Sequence, residues 1–196
     1  MEKLFVIFAL ALIVQIPAGA QNSPPPVATV NSVDLNQYLG KWYEIAALPQ
    51  SFEKQCVGNT TAEYANAEDG LISVVNTCDT AANGPSVATG RAKVVDTVSN
   101  AKLKVTFVNF LGWQFLFGGD YWILALGENY SYAVVGAPSR DSAWILSRTP
   151  LMTEDQLREA QNSLVQQGFD ACKLITTVQA GGFQDRAPLC QFVPVK

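Results

Sequence analysis

Apolar and polar residues alternate in short runs along most of the chain. "KLKVTFVNF" (102–110) is the clearest run: Leu103, Val105 and Phe107 fall on one side, Lys102, Lys104 and Thr106 on the other. A period of two is that of a strand with one buried face. Further β-rich segments lie at 42–48, 57–65, 71–78, 87–95, 120–126, 130–136 and 142–148. Turn residues separate them, and Glu68-Asp69-Gly70 between 57–65 and 71–78 is the strongest hairpin signal. Eight strands at such even spacing predict an antiparallel sandwich or barrel. The period then changes. Leu157, Ala160, Leu164 and Val165 recur at helical spacing. Thr153 with Gln156 forms a capping box, Glu154 and Asp155 suit the positive helix start, and Gly168 suits the stop. A last strand is predicted over 173–179. An eight-stranded antiparallel barrel encloses room for one small ligand; the helix packs outside it and returns the chain for a ninth strand.

The first residues stand apart from this alternation. Lys3 precedes an almost unbroken apolar run over 4–16, followed by Pro17 and the small-residue pattern Ala18-Gly19-Ala20. This reads as a secretory signal over 1–20, with a mature chain starting at Gln21. The run is too short and wrongly flanked to span a membrane. The Pro- and Ser-rich stretch 21–33 reads as a flexible, extended arm, 34–180 as barrel and helix, and 181–196 as a C-terminal tail. The expected location is secreted or periplasmic. No Cys precedes Cys56, so no N-terminal lipid anchor is expected.

Composition removes several functions. The net charge is −4 and no long run of Lys or Arg occurs; a nucleic-acid partner needs a basic footprint. There is no His, which removes the commonest general base, the usual zinc ligand and every Ser-His or Cys-His pair. Four Cys behind a secretory signal imply two disulfides, and oxidised Cys leave no thiolate for a metal. Gly118-Gly119 and Gly181-Gly182 lack the strand–turn–helix context of a phosphate-binding loop. The chain is read as a non-enzyme, with no catalytic residue, metal or cofactor.

Three separated motifs carry a resemblance: "DLNQYLGKWYEIAALPQSFE" (34–53), "ENYSYAVV" (128–135) and "WILSRTP" (144–150). In this order, and over about 34–180, the chain resembles the lipocalin family, and within it the bacterial lipocalin and apolipoprotein D branch. The resemblance implies an all-β, eight-stranded up-and-down barrel with one C-terminal helix outside. It implies that Gly40 lets the chain turn into the barrel from a short helical plug. Trp42 then lies across a closed floor, and Arg148 lays its guanidinium over the indole. These three are structural; the ligand enters at the other end. The relatives also imply a disulfide from Cys56 to Cys190, leaving Cys78 with Cys172. The hairpin favours Cys56 with Cys78 instead, since the two flank it at similar distance, and Cys172 with Cys190 closing a C-terminal loop.

Parity from the floor predicts the lining. Trp42 facing inward brings Glu44 and Ala46 to its side; Arg148 brings Leu146 and Trp144 to its own. Leu103, Val105 and Phe107 supply an apolar face. Tyr64, Tyr121 and Trp144 match pocket-shaping aromatic positions of the resembled branch. Tyr132 and Val134 are added, although "YSYAVV" does not fix its own parity. An apolar lining with a few polar handles suits an amphiphile. The resemblance implies binding and transport or storage of a fatty acid, lysophospholipid or similar lipid. The alternatives are an isomerase or carotenoid-modifying enzyme on the same barrel, which a lumen carboxylate pair or free Cys would favour, and a lumen filled by its own side chains. "FLGWQFLFGGDYW" (110–122) is apolar where a connection should be polar. Trp113, Phe115, Leu116 and Phe117 read as a lip that meets a membrane or lipid particle; burial under the arm, a dimer interface or another secreted-protein partner are the other readings. Asn59 and Asn129 each open a glycosylation pattern, relevant in a eukaryotic secretory pathway.

Overall fold

Asp34 starts the first element: its carboxylate accepts the Asn36 N–H at 2.9 Å and caps the single turn α1 (Leu35–Tyr38). Gly40 follows with φ +93°, a conformation that glycine adopts without a Cβ penalty, and the chain swings into β1 (Gly40–Ala47). The computed structural model describes residues 24–82 and 84–194; the signal segment expected over 1–20 lies outside them. After β1 come β2 (Cys56–Asn66), β3 (Ile72–Thr80), β4 (Ser86–Val94), β5 (Lys102–Thr106), β6 (Gly119–Leu126), β7 (Tyr132–Gly136) and β8 (Ala143–Ser147). Each strand pairs antiparallel with the next, and β1 pairs with both β8 and β2, which closes an eight-stranded barrel. The capped helix α2 (Glu154–Gln166) packs outside, with Thr153 and Gln156 reciprocally hydrogen-bonded at its start. The final strand is shorter than its apolar pattern predicts. Only β9 (Ile175–Thr176) forms, against the upper end of β1.

Strand parity sorts the apolar residues into two cores. Trp42, Ala62, Tyr64, Val74, Ala92, Leu103, Ile123, Val135 and Leu146 face the inside. Ile45, Leu124, Val134 and Ile145 point out and meet Leu157, Ala160 and Leu164 of α2. This is why β6–β8 are apolar on both faces while β2–β5 alternate. At Gly136 the outer layer presses on the strand: a Cβ there would meet the Phe169 ring at 2.6 Å.

The disulfides are Cys56–Cys78, joining the upper ends of β2 and β3, and Cys172–Cys190, which pins the tail; together they account for all four Cys. Each closes a loop of about 20 residues, worth about 3 kcal/mol in the loop-entropy picture. The tail is docked further by the Gln161 side chain, which donates to the Val193 carbonyl at 2.7 Å, and by buried Leu189. Residues 24–33 are extended, as their Pro content predicts, but packed rather than free. The Val30 and Val33 N–H groups donate to Ile123 and Ser99 carbonyls at 3.0 and 2.7 Å, and Val27 and Val33 are buried.

Candidate functional site

The closed end is built around Arg148. Its guanidinium carbon stands 3.6 Å from the centre of the Trp42 ring. The same group donates to the carbonyls of Gln37 (2.6 Å), Lys41 (2.9 Å), Leu39 (3.0 Å) and Tyr38 (3.2 Å). Carbonyls left over at the end of a helical turn need such donors, and a cation suits the negative pole there. Trp42 is fully buried and its indole N–H also donates to the Tyr38 carbonyl, at 2.8 Å.

Above this floor three phenols meet. The Tyr38 and Tyr121 hydroxyls are 2.7 Å apart, and the Tyr64 hydroxyl donates to that of Tyr121 at 2.9 Å. Burial pushes the Tyr64 phenol up to about 12 and those of Tyr38 and Tyr121 well above the ordinary tyrosine range, so all three stay protonated. Leu103, opposite Tyr121 in the ladder, and Leu146 line the wall here. Val105, Tyr121 and Trp144 face inward yet are only half-buried.

The open end is more polar than the sequence suggests. Glu44 lies opposite Leu146, on the lumen face, and accepts from the Thr177 hydroxyl at 2.5 Å. Burial raises its carboxyl above the usual range; Thr177 and the Arg186 charge oppose the rise. Trp144 stands opposite Ala47, nearer the mouth than the middle of the barrel. Glu53, on the short turn Ser51–Glu53 that leads from β1 to β2, comes over the mouth beside them. Its carboxyl is pushed up to about 8, first by burial and then by the Glu44 charge, while the Trp144 indole N–H and Arg186 draw it back. A cavity of about 690 Å³ at this end is lined by Glu44, Glu53, Thr60, Thr177 and Arg186, among others.

Several expected positions are corrected by the geometry. Tyr132 points out of the barrel and donates to Glu159 of α2 at 3.1 Å, and Val134 points out with it. The pairing of Ala133 with Leu146 settles the parity that the local pattern left open. Ala46 also joins the outer core, because a bulge between Glu44 and Ala46 shifts the register and gives the inward place to Ala47. Phe107 lies beyond the end of β5, across Gly90, and is 42% exposed; it is a rim residue, not lining. β5 stops at Thr106 because the Thr106 hydroxyl donates to the Gln114 carbonyl and folds 107–118 back outside. In that loop Leu116 (87%) and Phe117 (70%) are exposed, together with Phe110 and Leu111. Trp113 and Phe115 are half-buried, and Trp113 stacks on the Arg91 guanidinium at 4.9 Å. The Asn59 side chain is engaged with Asp79 and the Ala180 N–H, whereas Asn129 is exposed. Tyr38, Glu53, Thr177 and Arg186 were not predicted. Tyr38, Glu53 and Arg186 come from the plug, a loop and the tail, where alternation carries no signal, and Thr177 directly follows the short β9.

A barrel closed by an arginine-capped tryptophan and open over an apolar lumen defines a cup for small molecules. The family model described as a lipocalin-like domain matches residues 33–179, and the chain belongs to the lipocalin family. It is 36% identical over 181 residues to the outer membrane lipoprotein Blc of Vibrio cholerae, covering 91% of this chain and 99% of that one. It is 33% identical over 164 residues to mouse apolipoprotein D, covering 80% and 81%. Among solved structures, insecticyanin from the tobacco hornworm superposes with a TM-score of 0.62 at 23% identity, over 85% of this chain and 95% of that one, a likeness of fold.

Proposed function

We propose that this protein binds a small hydrophobic ligand in its lumen and carries or stores it outside the cytoplasm, the favoured class being fatty acids, lysophospholipids and similar lipids. The observation that carries the reading is the inward-facing, half-buried trio Val105, Tyr121 and Trp144 between a sealed floor and an open mouth. Apolar burial holds the chain of an amphiphile at about 0.8 kcal/mol per methylene, and the polar mouth orients its head. Two disulfides and the name of the Blc relative support a compartment beyond the cytoplasm. The exposed apolar residues Phe110, Leu111, Leu116 and Phe117 beside the mouth support delivery to or from a membrane or lipid particle.

The test is a lysophospholipid titration followed by tryptophan fluorescence, in wild type and in Val105→Trp. The bulkier side chain fills the open space, so binding is lost while the circular dichroism spectrum is kept. Equal affinity in the two proteins places the ligand elsewhere. One observation favours a second reading: Glu53 beside Glu44 makes the carboxylate pair that an enzyme on this barrel would use. Chemical change in a lipid after incubation, seen by mass spectrometry and abolished in Glu53→Gln, would support it.

A further inference from the structure

The three phenols at the closed end do not balance. Each carries one proton, and two hydrogen bonds join them: Tyr64 to Tyr121, and Tyr38 with Tyr121. If Tyr38 donates, the Tyr121 proton is left; if Tyr121 donates, that of Tyr38 is left. Among the described residues these hydroxyls make no other hydrogen bond. Tyr38 and Tyr64 are 4% and 6% exposed, and a buried donor without an acceptor is costly enough that most find one. Tyr121, the shared member, is the one of the three that is only half-buried, and it stands opposite inward-facing Leu103.

We propose that the closed end of the lumen is a subsite for an uncharged hydrogen-bond acceptor, a carbonyl or hydroxyl oxygen at the leading end of the ligand. The ligand is then an oxygenated amphiphile, polar at both ends, and not a lipid that enters with a plain alkyl tail. The charge state follows from the surroundings. Arg148, whose charge reaches the Tyr38 phenol, lies across Trp42, and its donors are directed at the carbonyls of residues 37–39 and 41 and not at the lumen. A carboxylate at the phenols would be buried with a single hydrogen-bond donor and with its counter-charge held off behind the indole, which is unfavourable. A neutral oxygen needs only the one proton on offer. This inference rests on the lumen being the binding site.

The test compares methyl palmitate with its ω-hydroxy and methyl-ketone counterparts, and repeats the series with laurate and stearate, by fluorescence titration. Placing a hydroxyl in a merely apolar pocket weakens binding, so the sign of the difference decides. The oxygenated esters are expected to bind about tenfold tighter at the best chain length, a step of about 1.4 kcal/mol. Tyr64→Phe keeps this preference, because two phenols with one hydrogen bond still leave one proton. The triple variant Tyr38→Phe, Tyr64→Phe, Tyr121→Phe reverses it. If all esters bind and the plain one is as tight or tighter, the subsite does not exist while the lumen reading stands. A preference that survives the triple variant overturns the assignment to the phenols. If no ester binds wild type, the lumen reading falls and takes the subsite with it. Should the triple variant not fold, wild type and Tyr64→Phe still decide the sign.

Discussion

Replacing Arg148 by Ala removes the lid of the floor, and the structure sets what that costs. The guanidinium over Trp42 at 3.6 Å is a close stack, worth about 1–2 kcal/mol when partly desolvated. The four carbonyls it serves are not equal. Those of Gln37 and Lys41 belong to exposed residues and can turn to water; that of Tyr38 keeps the Trp42 indole N–H. Leu39 loses its donor without replacement, which adds about 1–2 kcal/mol. The sum is about 2–4 kcal/mol, and for a domain of this size it lowers the melting temperature by about 6–12 °C. Arg148→Lys keeps the charge but not the planar fork, and recovers less than half. The assay is urea unfolding beside a lipid titration on the same samples. A floor role requires a large loss of stability and a lipid affinity within about threefold of wild type, a change of less than about 0.7 kcal/mol. Unchanged melting with lost binding would place Arg148 in the ligand site and refute the floor role.

Other outcomes follow from the same geometry. Trp144→Ala removes about 1.5–3 kcal/mol of apolar contact and weakens a bound lipid by about one to two orders of magnitude, read by competition with a fluorescent fatty acid; unchanged affinity would exclude contact at the mouth. Glu53 holds its proton up to about 8 in the folded state but only to about 4.5 when unfolded. Stability therefore falls as pH rises between those values and levels off above them, and Glu53→Gln flattens the slope in urea midpoints. Anionic lipids should also leave more readily across this range, since the Glu53 carboxyl at the mouth then gains charge. Finally, Leu116→Ser with Phe117→Ser slows transfer of bound lipid to vesicles severalfold without changing affinity in solution; equal transfer rates would show that the exposed loop does not meet the membrane.

The barrel was legible because alternation is strong where one face is wet. "KLKVTFVNF" gave β5 its inward Leu103 and Val105, and Thr153 with Gln156 marked the start of α2. Which side chains face inward was legible as far as parity could be carried from Trp42 and Arg148, which reaches Glu44, Leu146 and Trp144. It failed where the period of two is broken or has no meaning. A one-residue bulge moved Ala46 to the outer core. β7 is apolar on both faces, since α2 covers its outside, so Tyr132 could not be oriented from its own strand. Phe107 continues the pattern of β5 but outlives the strand, because a threonine hydroxyl ends the ladder one residue earlier. Glu53 and Arg186 reach the mouth from a loop and the tail, and only tertiary folding brings them to Glu44. The Cys56–Cys78 pairing followed the hairpin in this chain and not the long-range link that the resemblance to apolipoprotein D implied.

The proposed lipid binding in the lumen can be tested on the purified protein itself. The most direct measurement is native mass spectrometry of the protein purified without detergent, in wild type and in Val105→Trp. Lumen binding predicts a wild-type mass raised by one small amphiphile per chain, released on denaturation, and a bare chain for Val105→Trp. A bare wild-type chain that stays bare after incubation with lysophospholipid and fatty acid, or a ligand held equally by both proteins, would contradict it.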